Sequence, residues 1–292
     1  MTDTEQLQKK IDSYYWYHSF DFGNGLVAKG VKSVEYLKAD TDTVFDGLDL
    51  TDKSVLDIGA WHGHFSFAAK DRGAARVVAA DKYAWEHHKG RETFDLVRSL
   101  LKKDVEPLLI DVPEISRSTG QFDVVLFLDV FYHLFDPQTC LKNLSQCATD
   151  LLIVRTHHDH QAILTNTPIM VHYPDGYGGD SSNHWGPNPP LIYGLLRGAG
   201  FTKIYYQDHP VSGRTRGTYH AFRNEAAFSR LVTAKPATWI DMADDAVWRK
   251  QLRPLHSAEG AESIAELAEL ASETRSRRQL AKRLMAAIWN KR

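Results

Sequence analysis

Apolar and polar positions fall in short blocks along the chain, and the blocks read as strands alternating with helices. Apolar runs stand at residues 55–58, 76–80, 105–110, 122–128 and 151–155. The run from Phe122 to Leu128 is nearly continuous, as a central parallel strand buried on both faces requires. Helical spacing is predicted over 65–71, 136–147 and 191–199, the last stopped by Gly198 and Gly200. Residues 201–207 and 216–222 are expected to close the sheet as an antiparallel pair. The alternation predicts an α/β fold on a mostly parallel sheet of seven strands. Three parts are expected. Residues 1–50 hold a helix (4–16), an aromatic, glycine-bearing loop (16–30) and a second helix (34–46). Residues 51–224 form the core, and 225–292 a helical extension with an apolar stripe at Leu280, Leu284 and Ile288.

The first strand runs into Asp57-Ile58-Gly59-Ala60-Trp61-His62-Gly63. An acid at a strand end followed by two glycines in the turn describes a nucleoside pocket at the edge of a parallel sheet. A second acid, Asp81, ends the next strand 24 residues later, one strand–helix–strand step on. Ala60 and Trp61 break the G-x-G-x-x-G pattern at the glycine that would let backbone approach a pyrophosphate. No phosphate-cradling G-x-x-x-x-G-K-[ST] run is present. A site that grips ribose without a diphosphate suits S-adenosylmethionine. Asp57 is then expected near its ammonium end, Asp81 on the ribose hydroxyls and Asp111 near the adenine amino group. Taken alone, the turn also fits a plain strand–turn–helix. Asp111 and the buried run leading into Asp129-Val130-Phe131-Tyr132-His133 weigh against that reading.

These motifs, with Trp16-Tyr17-His18-Ser19-Phe20 and the Tyr132-His133 pair, resemble class I S-adenosylmethionine-dependent methyltransferases over about residues 14–223. The closer resemblance is to the branch containing the tRNA wobble-uridine enzymes that make 5-methoxy or 5-carboxymethoxy uridine. It implies a Rossmann-like sheet whose cofactor residues are Asp57, Gly59, Trp61, Gly63, Asp81, Asp111, Asp129 and the covering Trp16. Carboxymethylating members hold an extra cofactor carboxylate with a Lys, a Tyr and a late Arg. Tyr132 and Arg216 match that set, but His18 stands where the Lys is expected. A neutral imidazole is a weaker carboxylate partner than an ammonium, which favours plain S-adenosylmethionine.

Methyl transfer is an in-line displacement, so the protein's part is alignment and electrostatics. Tyr132 is expected to face the sulfonium and His133 to act as general base for a hydroxyl acceptor. Residues 157–190 break the strand–helix rhythm and are read as a substrate wall. They contribute His157, Tyr177, His184 and Trp185, joined by Tyr17, His18 and Arg216. The run His157-His158-Asp159-His160 permits a metal, but neighbours on an extended segment point to opposite faces, and no metal site is assigned.

The charge balance, 35 basic against 37 acidic residues, supports no broad nucleic-acid surface. The basic run Arg275, Arg277, Arg278, Lys282, Arg283 reads as a solvated helix face, with a phosphate- or tRNA-binding face as the alternative. Cys140 and Cys147, seven apart on one expected helix, give no disulfide framework and serve as small apolar groups. No 18-residue apolar run and no secretory signal stand in the chain, so a cytoplasmic protein without membrane contact is expected. A small-molecule methyltransferase is the leading expectation. The alternatives are a tRNA wobble-uridine enzyme, another alkyl-transfer or cyclisation reaction with the same cofactor, and a non-catalytic nucleoside-binding regulator. The oligomeric state is not legible.

Overall fold

A computed structural model describes residues 2–243. The helical stripe and the basic run expected beyond residue 259 lie outside the described residues. In chain order the elements are α1 (Asp3–Asp12), β1 (Phe20–Gly23), β2 (Leu26–Ala28), α2 (Val34–Phe45), β3 (Ser54–Ile58), α3 (His64–Asp71) and β4 (Arg76–Asp81). There follow α4 (Tyr83–His87), α5 (Gly90–Leu101), β5 (Glu106–Leu109), β6 (Phe122–Leu128), α6 (Pro137–Ser145) and β7 (Ala148–His157). The last are β8 (Met170–His172), β9 (Trp185–Pro187), α7 (Pro189–Gly198), β10 (Lys203–His209), β11 (Gly213–Phe222), α8 (Glu225–Leu231) and β12 (Ile240–Asp241).

The central sheet has the order β12-β10-β11-β7-β6-β3-β4-β5. Strands β5, β4, β3, β6 and β7 run parallel, and β11 is antiparallel to both β7 and β10. The expected last antiparallel pair is β10–β11. An eighth strand, β12, extends the expected seven at the edge, because Trp239 beside it buries its ring on Tyr205 and His220. Strand order reverses between β3 and β6, and a ligand crevice opens at the carboxyl ends of strands at such a point. Every β6 residue except Asp123 is buried, and Asp123 accepts hydrogen bonds from the Ser54 amide and hydroxyl.

The N-terminal part departs from its expected outline. Helix α1 stops at Asp12, four residues early, and the Trp16 indole folds back to donate to the Ile11 carbonyl at 2.9 Å. The segment expected as a loop contains the hairpin β1–β2. Its turn, Gly23-Asn24-Gly25, has positive φ at all three residues, the conformation glycine and asparagine accept most readily. Helix α6 ends at Ser145, so Cys147 lies just past it, although both cysteines are buried. No helix among the described residues is long and apolar enough to cross a membrane.

Candidate active site

The turn after β3 is built around two buried carboxylates. Asp57 accepts from the Ser66 hydroxyl at 2.6 Å, and burial pushes its carboxyl up to about 6. Asp81 accepts the Trp61 amide on one oxygen and the Ala84 amide on the other, both at 2.9 Å. One lone pair on each Asp81 oxygen remains for a ligand hydroxyl. Gly59 has φ +74°, and a Cβ there would lie 2.5 Å from Val130 Cγ2. Trp61, with φ 48°, is a bulky residue in the left-handed region, a strained conformation that clusters at functional sites. Its buried indole Nε1 has no hydrogen-bond partner. Gly63 begins α3 at φ +84°. Asp111 lies apart, exposed and engaged as the cap of a short 3-10 turn. Two of these features fit a ribose-bearing cofactor: a carboxylate with open lone pairs and an orphaned donor.

The N-terminal segment packs onto this turn. The Tyr17 amide donates to His62 Nε2 at 3.2 Å, and the Tyr17 ring stacks on Trp61. Trp16 is buried beside His62, ring centroids 5.1 Å apart. His18 is buried between Trp61, His62 and His64, and its Nδ1 has no partner. Burial lowers His62 to about 3 and His64 to about 4, and holds His18 well below the ordinary imidazole value. His18 therefore brings no charge to the site.

The ammonium comes from Lys32, which the sequence did not single out. Backbone pairing sets Lys32 beside the His18 segment: its amide donates to Tyr17 O at 2.8 Å, and the Ser19 amide donates to Lys32 O at 3.1 Å. The Lys32 ammonium lies 3.0 Å from Asp40 and 3.9 Å from Asp129. It also stands over the rings of Tyr17 and Tyr36.

Asp129 follows β6 with φ 61°. Both Nε and Nη2 of the buried Arg155 donate to its Oδ2, at 3.0 and 2.7 Å, and Arg216 Nη1 stands 3.5 Å from the same oxygen. Burial opposes ionisation, yet Arg155 foremost, then Arg216 and Lys32, hold the Asp129 carboxyl well below the carboxylate range. Asp40, on α2, takes Lys32, Arg155 Nη1 at 3.5 Å, and His209 Nε2. His209 Nδ1 accepts the amides of Val211 and Ser212, so its hydrogen sits on Nε2 and the ring is uncharged. Tyr36, Asp40 and Arg155 also went unnoticed in the sequence. A lone cation closing the apolar strand at Arg155 was the one available signal.

On the far side, Tyr132 and His133 form a 3-10 turn after β6. The Ser182 carbonyl, 3.0 Å from His133 Nδ1, can only accept, so Nδ1 carries the hydrogen and Nε2 a lone pair. Burial lowers the His133 pKa, keeping the ring neutral at neutral pH. His157 meets the Tyr132 ring edge-on and Tyr177 at 4.7 Å, and its Nε2 lies 3.3 Å from the Tyr173 hydroxyl. The His184 amide donates to Tyr132 O and Trp185 Nε1 to Leu134 O, tying residues 157–190 to the Tyr132–Leu134 turn. His184 stacks on the exposed Phe135 and Trp185 meets His172, so these two rings fasten the wall from outside. His158 is buried away, donating from Nδ1 to Arg214 O and accepting the Tyr219 hydroxyl. Among the described residues no group of three or more His, Cys, Asp or Glu could hold a metal.

The sheet order and the strand-end acids define a class I S-adenosylmethionine-dependent methyltransferase. The chain matches the family model described as a methyltransferase domain over residues 34–203, more than half its length, and belongs to that family. The tRNA U34 carboxymethyltransferase of Campylobacter jejuni strain 81116 is 32% identical over 96 residues, 33% of this chain and 32% of that protein. That of Aliarcobacter butzleri is 26% identical over 159 residues, 53% of this chain and 49% of its own. The chain thus spans about a third to a half of the length of these curated relatives. The N-terminal domain of EvdMO1, crystallised with S-adenosylhomocysteine and D-fucose, shares the fold at TM-score 0.58 and 18% identity, covering 77% of this chain and 98% of that one.

Proposed function

We propose that the protein transfers a methyl group from S-adenosylmethionine to a small-molecule acceptor. When bound, the cofactor supplies a methyl carbon made electrophilic by its sulfonium. Asp81 receives the ribose hydroxyls on its open lone pairs, and Asp57 stands toward the ammonium end. Tyr17 and Trp61 cover the cradle and exclude water. The Tyr132 ring lines the sulfonium side, and His133 Nε2 takes the proton of an acceptor hydroxyl. The observation that carries the reading is the fastening of residues 157–190 onto the Tyr132–Leu134 turn. It walls the acceptor side with this chain's own His157, Tyr173 and Tyr177. The EvdMO1 domain, alike in fold, was crystallised with D-fucose, which supports a compact acceptor.

Incubation with S-adenosylmethionine and a small-molecule acceptor panel, followed by mass spectrometry, tests the proposal. Release of S-adenosylhomocysteine with an acceptor heavier by one CH2 unit, a methyl in place of a proton, supports it. Absence of cofactor binding by calorimetry overturns it. The carboxymethyltransferase relatives favour a second reading, a tRNA wobble-uridine acceptor. That reading requires methylation of unfractionated tRNA and binding that weakens steeply with salt.

A further inference from the structure

Behind Nδ1 of His133 runs a two-step chain of hydrogen bonds that ends on a carboxylate. Ser182 Oγ lies 3.0 Å from His133 Nδ1 and 2.7 Å from Asp180 Oδ1. Nδ1 carries the hydrogen, because it also faces the Ser182 carbonyl at 3.0 Å. Ser182 Oγ therefore accepts from Nδ1 and gives its own hydrogen to Asp180, the direction that satisfies all three groups. The carboxylate is fixed in place. Its Oδ1 also accepts the Ser182 amide at 2.9 Å, and Asp180 and Tyr177 exchange backbone hydrogen bonds at 3.1 and 3.2 Å. Asn183 Nδ2 closes the same turn on Tyr177 O. Gly176, at φ +78°, permits this tightness, since a Cβ there would lie 2.3 Å from Asp180 O. The Ser182 carbonyl alone is enough to set the His133 tautomer. The hydroxyl and the carboxylate add something else, a path from the ring to a negative charge. Ser182 is half-buried and Asp180 exposed, so water can serve both, and burial does not demand this chain.

We propose that Asp180, acting through Ser182, positions His133 as the base of this methyltransferase and stabilises the ring once it is protonated. The inference rests on the methyltransferase reading and adds two positioning residues to it. In the transfer the acceptor O–H bond breaks and an O–CH3 bond forms, while the S–CH3 bond breaks and leaves its electron pair on sulfur. The acceptor proton ends on His133 Nε2 and leaves later to water. No proton moves along the chain. Nδ1 keeps its hydrogen, and its bond to Ser182 Oγ, polarised by Asp180, strengthens as the ring becomes cationic. Other groups act on the ring as well: Asp129 favours the protonated form together with Asp180, and His184 opposes it. Asp180 differs in reaching the ring through hydrogen bonds. Ser182 and Asp180 belong to residues 157–190, whereas His133 follows β6. The base is therefore fully set only when that segment is seated on the Tyr132–Leu134 turn.

Nitrogen NMR of the full chain, carrying isotope-labelled histidine and saturated with S-adenosylhomocysteine, tests this, with His133→Asn assigning the signal. The wild-type ring is expected as the Nδ1–H tautomer, its protonated fraction rising as pH falls over the range in which melts show the chain folded. Ser182→Ala and Asp180→Asn each lower the ratio of protonated to neutral ring roughly threefold or more at a given pH. Asp180→Asn keeps an oxygen for the Ser182 amide, so it removes the charge without opening the turn. Ser182→Thr restores the wild-type ratio. The double variant shows no more than the larger single effect, because the two residues form one chain. A ratio unchanged in Ser182→Ala overturns the proposal, even where Asp180→Asn lowers it, since the charge would then act through space alone. Additive losses overturn it too, as does a wild-type ring that stays wholly neutral across the folded range. Failure of S-adenosylhomocysteine to bind the wild-type chain is a different result, and it removes the methyltransferase reading itself. Unchanged ratios with S-adenosylhomocysteine bound leave that reading standing.

Discussion

Tyr17 and Trp61 lie face to face, ring planes 3° apart and centroids 4.8 Å apart. One ring belongs to the N-terminal segment and the other to the turn after β3. The Tyr17 amide on His62 Nε2 pins the same two segments by a hydrogen bond. The stack thus couples closure of the N-terminal segment to a turn already held in a left-handed conformation at Trp61. Tyr17→Ala is expected to weaken S-adenosylhomocysteine binding by about 1 kcal/mol, the contribution of an aromatic pair, or roughly fivefold. Calorimetry checks it. Unchanged affinity would mean that the segment packs on the turn without serving the ligand.

Asp81 carries a double duty that sharpens its expected phenotype. It holds the Trp61 and Ala84 amides and offers its remaining lone pairs to the ribose. Asp81→Ala strands two backbone donors, so stability and affinity fall together. Hydrogen bonds to a charged group contribute about 1.5–3 kcal/mol each, which places the loss of affinity at ten- to a hundredfold or more. Asp81→Asn keeps one acceptor oxygen and is expected to recover much of the melting temperature but little of the affinity. Thermal melts with and without S-adenosylhomocysteine separate the two effects.

The cradle was legible in the sequence because its signals are local. Asp57, Gly59, Gly63 and Asp81 each sit where a strand ends or a turn needs a particular backbone, and such positions show in a short window. The Gly23-Asn24-Gly25 hairpin turn was equally local, yet it was obscured by the aromatic residues around it. The charge cluster has no local signature. Lys32 precedes α2, Asp40 lies on α2, Asp129 follows β6, Arg155 ends β7 and Arg216 lies on β11. Only sheet order brings them together. Linear comparison set His18 at the lysine position, whereas the chain folds back through β1 and β2 and lays Lys32 beside it. Asp111 stands at the expected strand end, and its carboxylate also caps the 3-10 turn that follows.

Buried imidazoles make the fold sensitive to acid. Burial lowers His62 and His158 to about 3, and His64, His157 and His220 to about 4. An unfolded histidine titrates near 6.5, so between these values the unfolded chain binds the protons and the folded chain does not. Stability therefore rises with pH through this window and is lost on acidification. Asp57, raised to about 6, acts in the opposite sense over part of the window, because the folded state protonates it first. His18 and His133 are lowered as well and Asp81 is raised like Asp57, so seven rings against two carboxyls leave a net loss, roughly 1.4 kcal/mol per pH unit for each unopposed histidine. The melting temperature is expected to fall steeply from about pH 7 to about pH 5. A flat profile there would show that these rings titrate normally.

The lowered pKa of His133 gives activity its own acid limb. As a base the ring must be neutral, so methyl transfer to a hydroxyl is expected to hold through neutral pH. It falls only below the ordinary histidine range. His133→Asn removes the lone pair at Nε2 and is expected to lower kcat about a hundredfold while leaving S-adenosylhomocysteine affinity intact. A pH–rate profile of the wild type, run where melts show the chain folded, distinguishes this limb from acid unfolding. If His133→Asn turns over at the wild-type rate, the acceptor reaches the methyl group already deprotonated or needs no base.

Arg155 is the residue on which the charge cluster turns, and its removal offers the most demanding test of the architecture. It is buried, it grips Asp129 with two donors, and it reaches Asp40 with a third nitrogen at 3.5 Å. Arg155→Met keeps most of the volume but leaves two carboxylates facing one ammonium and Arg216. Breaking a buried pair on one side costs about 3–5 kcal/mol, because the partner charge stays behind. Lys32 and Arg216 remain near Asp129, which places the expected loss toward the lower end. Asp129→Asn alone strands the cations in the opposite sense. The double variant removes one charge of each sign, so urea unfolding is expected to show it more stable than the sum of the single losses predicts, by about 1–3 kcal/mol. Additive losses would mean that Arg155 and Asp129 are neighbours without energetic coupling. In that case the left-handed backbone at Asp129 would be held by its amide on Arg155 O alone.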